Sequence, residues 1–176
     1  MYRDVVAVAK SMYRVSMVAP FARLGYIVGY LSGHVNKVMA ESAGAGGSDF
    51  CVRNDNDLSG GVLLYAVTTS MYLDMRRRGL DISALRYEDL VARPLDMCRV
   101  LVEFCGLPAS LVELGVTAFD VDSQKNSILS KSSLGRFKAP QLTPEKKAKL
   151  NELLKKFSLP MIDEPGILEG TLSCYQ

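Results

Sequence analysis

Histidine is nearly missing from this 176-residue chain, with His34 as its one copy, and tryptophan is absent. A lone histidine cannot build a His-rich metal centre. The four cysteines, Cys51, Cys98, Cys105 and Cys174, form no CxxC pair and no Cys/His cluster, which excludes the zinc-ligand spacings. No metal is expected. Cys98 and Cys105 fall on one predicted helix, about 10 Å apart along its axis, beyond disulfide reach. Both read as core thiols. A Cys51–Cys174 pair stays open.

Charge of one sign is also scarce. The formal net charge is +2, from 21 basic and 19 acidic residues. No polybasic block marks a nucleic-acid or membrane-surface partner, and neither is expected. An anionic ligand would have to be held by a few well-placed cations. Long apolar runs are lacking too. The most apolar stretch, from Met17 to Leu31, is broken by Pro20 and Arg23 and is too short to span a bilayer. Met1-Tyr2-Arg3-Asp4 leads straight into an amphipathic pattern, so no signal peptide is expected.

What is present is a globular composition, 48% hydrophobic and 23% charged, at a length that supports one domain over residues 1–176. Val5, Val8, Met12 and Val15 recur at steps of three and four, predicting a helix over 4–18. A second helix is expected from 21 to about 40. The Gly/Ser/Ala stretch "SAGAGGSD" (42–49) lacks the Lys-Ser/Thr of a P-loop and reads as a surface loop. Asp57 is a candidate N-cap for a helix whose stripe is Leu64, Val67, Met71 and Met75, closed by Arg76-Arg77-Arg78-Gly79. "ISALRYED" reads as a short strand. A helix follows over 93–105 with Leu95, Cys98, Leu101, Val102 and Cys105 inward, stopped by Gly106-Leu107-Pro108. A short helix is expected near 109–116, and an aperiodic polar loop over 120–142. Thr143-Pro144-Glu145 then supplies an N-cap, a Pro at N1 and an early acid for a last helix. Leu150, Leu153, Leu154 and Phe157 are its core side, and its lysines its wet side.

The run "LRYEDLVARPLDMCRVLVEFCGLP" resembles the C-terminal half of sulfotransferases that use 3′-phosphoadenosine 5′-phosphosulfate (PAPS), in which a "YEDL…P" segment leads into a helix ending in "F-x-G". Two other stretches agree in order. "RDVVAVAKSMYR" looks like that family's 3′-phosphate motif, an Arg followed eight residues later by a Ser, here Arg3 and Ser11, with Val5 where a Pro is frequent. "SKSSLGRFK" resembles the late loop "RKG-x-x-G-x-W-K". Lys131, Gly135 and Lys138 match, whereas Ser130, Ser132 and Phe137 depart from it. The resemblance spans roughly residues 1–157.

The resemblance implies an α/β fold. It would be a partial P-loop-NTPase-like three-layer sulfotransferase fold, mostly helical with a few parallel strands, missing the N-terminal phosphosulfate-loop strand. It implies PAPS as co-substrate and a small-molecule or carbohydrate acceptor bearing a hydroxyl or amine. Arg3 and Ser11 would hold the 3′-phosphate, Tyr87 would face the adenine, and Lys131, Gly135 and Lys138 would close over the phosphate. Glu88 and Asp89 are read as structural, bonded to backbone or paired with a cation.

The family's phosphosulfate loop and general base precede its 3′-phosphate motif. The domain is therefore expected to be incomplete, to bind nucleotide and not to transfer sulfate alone, and no catalytic residue is assigned. His34 follows the motif and is a poor candidate base. Two alternatives stay open: a short nucleotide-binding paralogue without catalysis, and an unrelated helical interaction module. Family members divide between cytosol and Golgi lumen.

Overall fold

The structure is a computed structural model and describes residues 1–18, 58–121, 125, 127 and 130–174. The expected helix over 21–40, the 42–49 loop, His34, Cys51 and the Asp57 cap lie outside these residues.

Helix α1 (Val5–Val18) starts where Asp4 caps it, with Asp4 Oδ1 accepting the Ala7 N–H at 3.0 Å. The face it buries centres on Val5 and Ala9 rather than on Met12, which is 37% exposed. Helix α2 (Ser59–Arg77) lies against it. Val62, Leu63, Tyr65, Ala66 and Val67 are all buried in its first half, whereas Met71 and Met75 of the expected stripe are exposed. The reason is position: this helix is enclosed on several sides early and opens to solvent towards its C-terminal end. Arg76 and Arg77 stand in its last turn, and Gly79 takes φ 84° beyond it. Cations thus meet the negative end of the helix, and glycine supplies the left-handed stop.

Helices α3 (Tyr87–Ala92) and α4 (Pro94–Phe104) follow in close succession, then α5 (Leu111–Thr117) and a single 3-10 turn, Ala118–Asp120. Helix α4 packs on both α3 and α5. It buries Met97 and Cys98, while Leu95 and Cys105 are exposed, the latter serving as the C-cap. Cys98, Cys105 and Cys174 are free thiols. The polar stretch expected to be wholly irregular contains a short helix, α6 (Lys131–Gly135), which packs on α1.

Helix α7 (Pro144–Lys156) forms as its sequence dictates. Thr143 Oγ1 accepts the Lys146 N–H at 3.4 Å, Pro144 stands in the first turn, and Leu150, Leu153, Leu154 and Phe157 are buried. Residues of α1, α2 and α7 form the main core, together with Leu58 and Leu159.

The expected three-layer α/β arrangement with parallel strands is not what forms. Among the described residues the chain is mostly helical and has no sheet. Extended pairing is limited to two isolated parallel bridges, Tyr2 with Arg86 and Ala84 with Thr171. The segment read as a strand, 82–89, is cut short because α3 already begins at Tyr87. Glu88 and Asp89 in the first turn of α3 favour that start, since acids there meet the positive end of the helix dipole. Among the described residues, no helix is long and apolar enough to cross a membrane.

Candidate nucleotide-phosphate site

The two bridges assemble the candidate site. Tyr2 donates its N–H to the Leu85 carbonyl at 2.8 Å and accepts the Tyr87 N–H at 2.8 Å. On the other side, Ala84 donates to Gly170 at 3.0 Å and accepts from Leu172 at 2.8 Å. The 84–86 segment is thereby held between the N-terminal residues and the C-terminal segment. Tyr2 spans the arrangement: its hydroxyl lies 3.0 Å from Thr171 Oγ1 and accepts the Leu168 N–H at 3.2 Å.

This pairing sets Arg3 beside Tyr87, although they are far apart in sequence. The Arg3 guanidinium lies over the Tyr87 ring, 4.4 Å from its centroid. A cation over a ring face is attracted by the ring quadrupole. The contact holds the guanidinium at the ring face, and an arginine so held can still offer N–H groups to a phosphate. Arg3 Nε is out of solvent and has no hydrogen-bond partner. One face of Tyr87, expected to meet adenine, is therefore occupied by Arg3.

The neighbouring acids have structural partners, as expected. Glu88 Oε1 accepts the Asp4 N–H at 3.0 Å, so a residue of α3 completes the cap of α1. Arg86 pairs with Glu88 at 3.8 Å and with Asp89 at 3.5 Å. These acids are held by Arg86 and the backbone, not by Arg3.

Ser11 lies half-buried on α1, two turns into the helix. At 1.5 Å per residue, Val5 to Ser11 covers about 9 Å of axis. Arg3 and Ser11 thus bracket the first two turns. The packing of α6 on α1 brings the Lys131–Gly135 segment to the same helix. Ser130 is the buried N-cap of α6. Its hydroxyl accepts the Ser133 N–H at 3.3 Å and lies 3.1 Å from the Ser132 hydroxyl. Gly135 is exposed, and a Cβ built there would meet nothing within 4 Å. No protein contact therefore demands glycine at that position. Lys138 is exposed beyond the end of α6.

Sequence pattern alone does not separate Arg14 from an ordinary surface cation. In the structure it is half-buried, and its Nε is out of solvent without a hydrogen-bond partner.

A small cleft of about 100 Å³ opens between Asp4, Tyr65, Arg86 and Glu164. None of the six sequence-predicted nucleotide residues lines it. Burial pushes the Tyr65 phenol above its ordinary value, and nearby Tyr2, Asp4 and Glu88 push the same way, against a hydrogen bond from Thr69. No group of three or more His, Cys, Asp or Glu side chains among the described residues could hold a metal ion. The chain matches no protein-family model, no curated protein and no solved structure.

Proposed function

We propose that this chain carries the adenosine-3′-phosphate grip of a PAPS-dependent sulfotransferase, an enzyme that moves a sulfuryl group from PAPS to a hydroxyl or amine acceptor. The observation that carries the reading is Arg3 stacked on Tyr87 with its Nε unsatisfied. A buried guanidinium N–H without a partner costs about 1–3 kcal/mol; an anion would meet this guanidinium through its terminal N–H groups. The reading rests on this juxtaposition and on the order of the motifs, and needs no sheet. Arg3, Ser11 and Lys131 supply the charge and donors for a dianionic 3′-phosphate, and Gly135 leaves room for close approach. The face of Tyr87 away from Arg3 would serve the adenine.

In such a reaction the acceptor oxygen or nitrogen attacks sulfur, the bond from sulfur to the phosphate oxygen breaks, and adenosine 3′,5′-bisphosphate leaves. Residues gripping the 3′-phosphate bind donor and transition state alike. They lower the dissociation constant rather than the chemical barrier.

The test is titration calorimetry on the 176-residue chain. Arg3→Ala should weaken adenosine 3′,5′-bisphosphate by about 1.5–3 kcal/mol, the scale of a charged hydrogen bond. Adenosine 5′-phosphate, which lacks the 3′ group, should change far less. Equal losses for both ligands, or a wild-type chain indifferent to the 3′-phosphate, would overturn the assignment.

A second reading, a helical protein-interaction module, is favoured by one observation. Phe104, Leu114 and Val121 are 57%, 67% and 67% exposed around the α4–α5 hairpin. Absence of nucleotide binding in the same titration would leave this reading in place.

A further inference from the structure

The charge at the candidate site extends beyond the motif that defines it. Ser11 and Arg14 stand three residues apart on α1, on one face of the helix. Taking 100° per residue, that face lies opposite the Val5–Ala9 stripe, which is packed on α2. Helical side chains lean back over the turn N-terminal to their own Cα. Arg14 therefore leans towards the turn that carries Ser11, while Arg3 stands at the N-terminal entrance of the same helix, over the Tyr87 ring.

Both arginines share a second property. The Nε of each is out of solvent and lacks a hydrogen-bond partner, and neither enters an ion pair among the described residues. Arg76 Nε is likewise out of solvent and unpartnered, but the Arg76 terminal nitrogens bond the Ile82 carbonyl and pair with Glu169. Arg78 pairs with Asp74, and Arg86 pairs with Glu88 and Asp89. Partly buried guanidinia normally have an acceptor, because leaving one unpaired is costly. Arg3 at the entrance of α1 and Arg14 on it each have an Nε lacking an acceptor and no ion pair among the described residues. Together with a serine between them in sequence, they offer donors to a ligand group that carries two negative charges and several acceptor oxygens.

We infer that Arg14 is a second phosphate-binding residue, which closes on the same terminal phosphate monoester as Arg3 and Ser11 from the C-terminal side of Ser11. The inference rests on the proposed nucleotide reading and extends it by making the site selective for a dianionic monoester over a singly charged diester. A monoester presents three terminal oxygens, enough for a guanidinium on each side and a hydroxyl between. A cyclic 2′,3′-phosphodiester presents two and one charge.

The test uses the full chain and three probes: adenosine 3′,5′-bisphosphate, adenosine 5′-phosphate, and adenosine 2′,3′-cyclic phosphate 5′-phosphate. Arg14→Gln should weaken the bisphosphate by about 10- to 100-fold, the equivalent of one charged hydrogen bond. It should leave adenosine 5′-phosphate within about twofold, and should narrow the gap between bisphosphate and cyclic diester. Arg14→Lys should restore part of the loss. Thermal melting without ligand should be unchanged or higher in Arg14→Gln, because an unpaired buried cation is removed; a purely structural arginine would lower it. If Arg3→Ala abolishes the 3′-phosphate preference while Arg14→Gln leaves it intact, the Arg14 inference fails and the nucleotide reading stands. If Arg14→Gln weakens all three probes equally, the inference also fails. If the wild-type chain shows no preference for the bisphosphate, both fall.

Discussion

Gly61 and Ala9 are in backbone contact: a Cβ built on Gly61 would lie 2.5 Å from the Ala9 Cα. Two helices this close cannot yield by turning a side chain, since the obstacle is main chain. The glycine thus sets the spacing of α1 against α2, and α1 carries Arg3 at its entrance and Ser11 and Arg14 along its length. The site depends on a packing contact on the other side of its own helix.

Gly61→Ala should therefore destabilise the protein. Overpacking of this kind costs about 1–3 kcal/mol, against a gain in helix propensity of at most about 1 kcal/mol. With the main-chain clash at the upper end of that range, a net loss of up to about 2 kcal/mol is expected, read as a lower midpoint in urea with an unchanged slope. A variant as stable as the wild type would mean that the helices separate at little cost.

The last helix was legible in full from sequence because every local cue agreed. Thr143, Pro144 and Glu145 mark its start, and the period of Leu150, Leu153, Leu154 and Phe157 marks its buried side. The expected α2 stripe differs from the buried one, Val62, Tyr65, Ala66 and Thr69, which has the helical spacing i, i+3, i+4, i+7 but includes a threonine, whereas the apolar Met71 and Met75 extend a competing pattern to the exposed end of the helix. The strand over 82–89 was misread for a related reason. Its apolar-to-charged step is equally a helix start with acids in the first turn, and only two single bridges hold it extended. Of the site, the residue types were readable and the contact was not. Arg3 meets Tyr87 because Tyr2 bridges Arg86, a pairing of distant segments. Arg14 had no cue beyond its spacing from Ser11.

Tyr65 gives the fold an alkaline limit. Its phenol is raised above its ordinary value, first by burial. The unfolded chain then releases that proton at lower pH than the folded one, so the unfolded state is favoured as pH climbs. Stability from this group is complete below about pH 10 and is lost as pH rises through the folded value. Melting temperatures measured from pH 8 to 11 should fall at the top of that range. Tyr65→Phe should show a shallower fall than wild type, and parallel curves would count against a raised phenol.

Tyr87 has two separable parts, a ring under Arg3 and a hydroxyl. Tyr87→Phe keeps the ring and should retain both the stacked guanidinium and most of the bisphosphate affinity. Tyr87→Leu removes the quadrupole that attracts the cation, a contact of about 0.5–2 kcal/mol. It also removes the ring face at which the guanidinium is held. Bisphosphate binding should weaken by at least that amount, with adenosine 5′-phosphate affected only through the loss of adenine contact. The informative quantity is the coupling in a double-mutant cycle with Arg3→Ala. If Tyr87 acts by orienting Arg3, then Tyr87→Leu should cost little of the remaining 3′-phosphate selectivity once Arg3 is gone. Full additivity of the two losses would show that the ring and the guanidinium serve the ligand independently, and the stacked pair would then have no part in reading the 3′-phosphate.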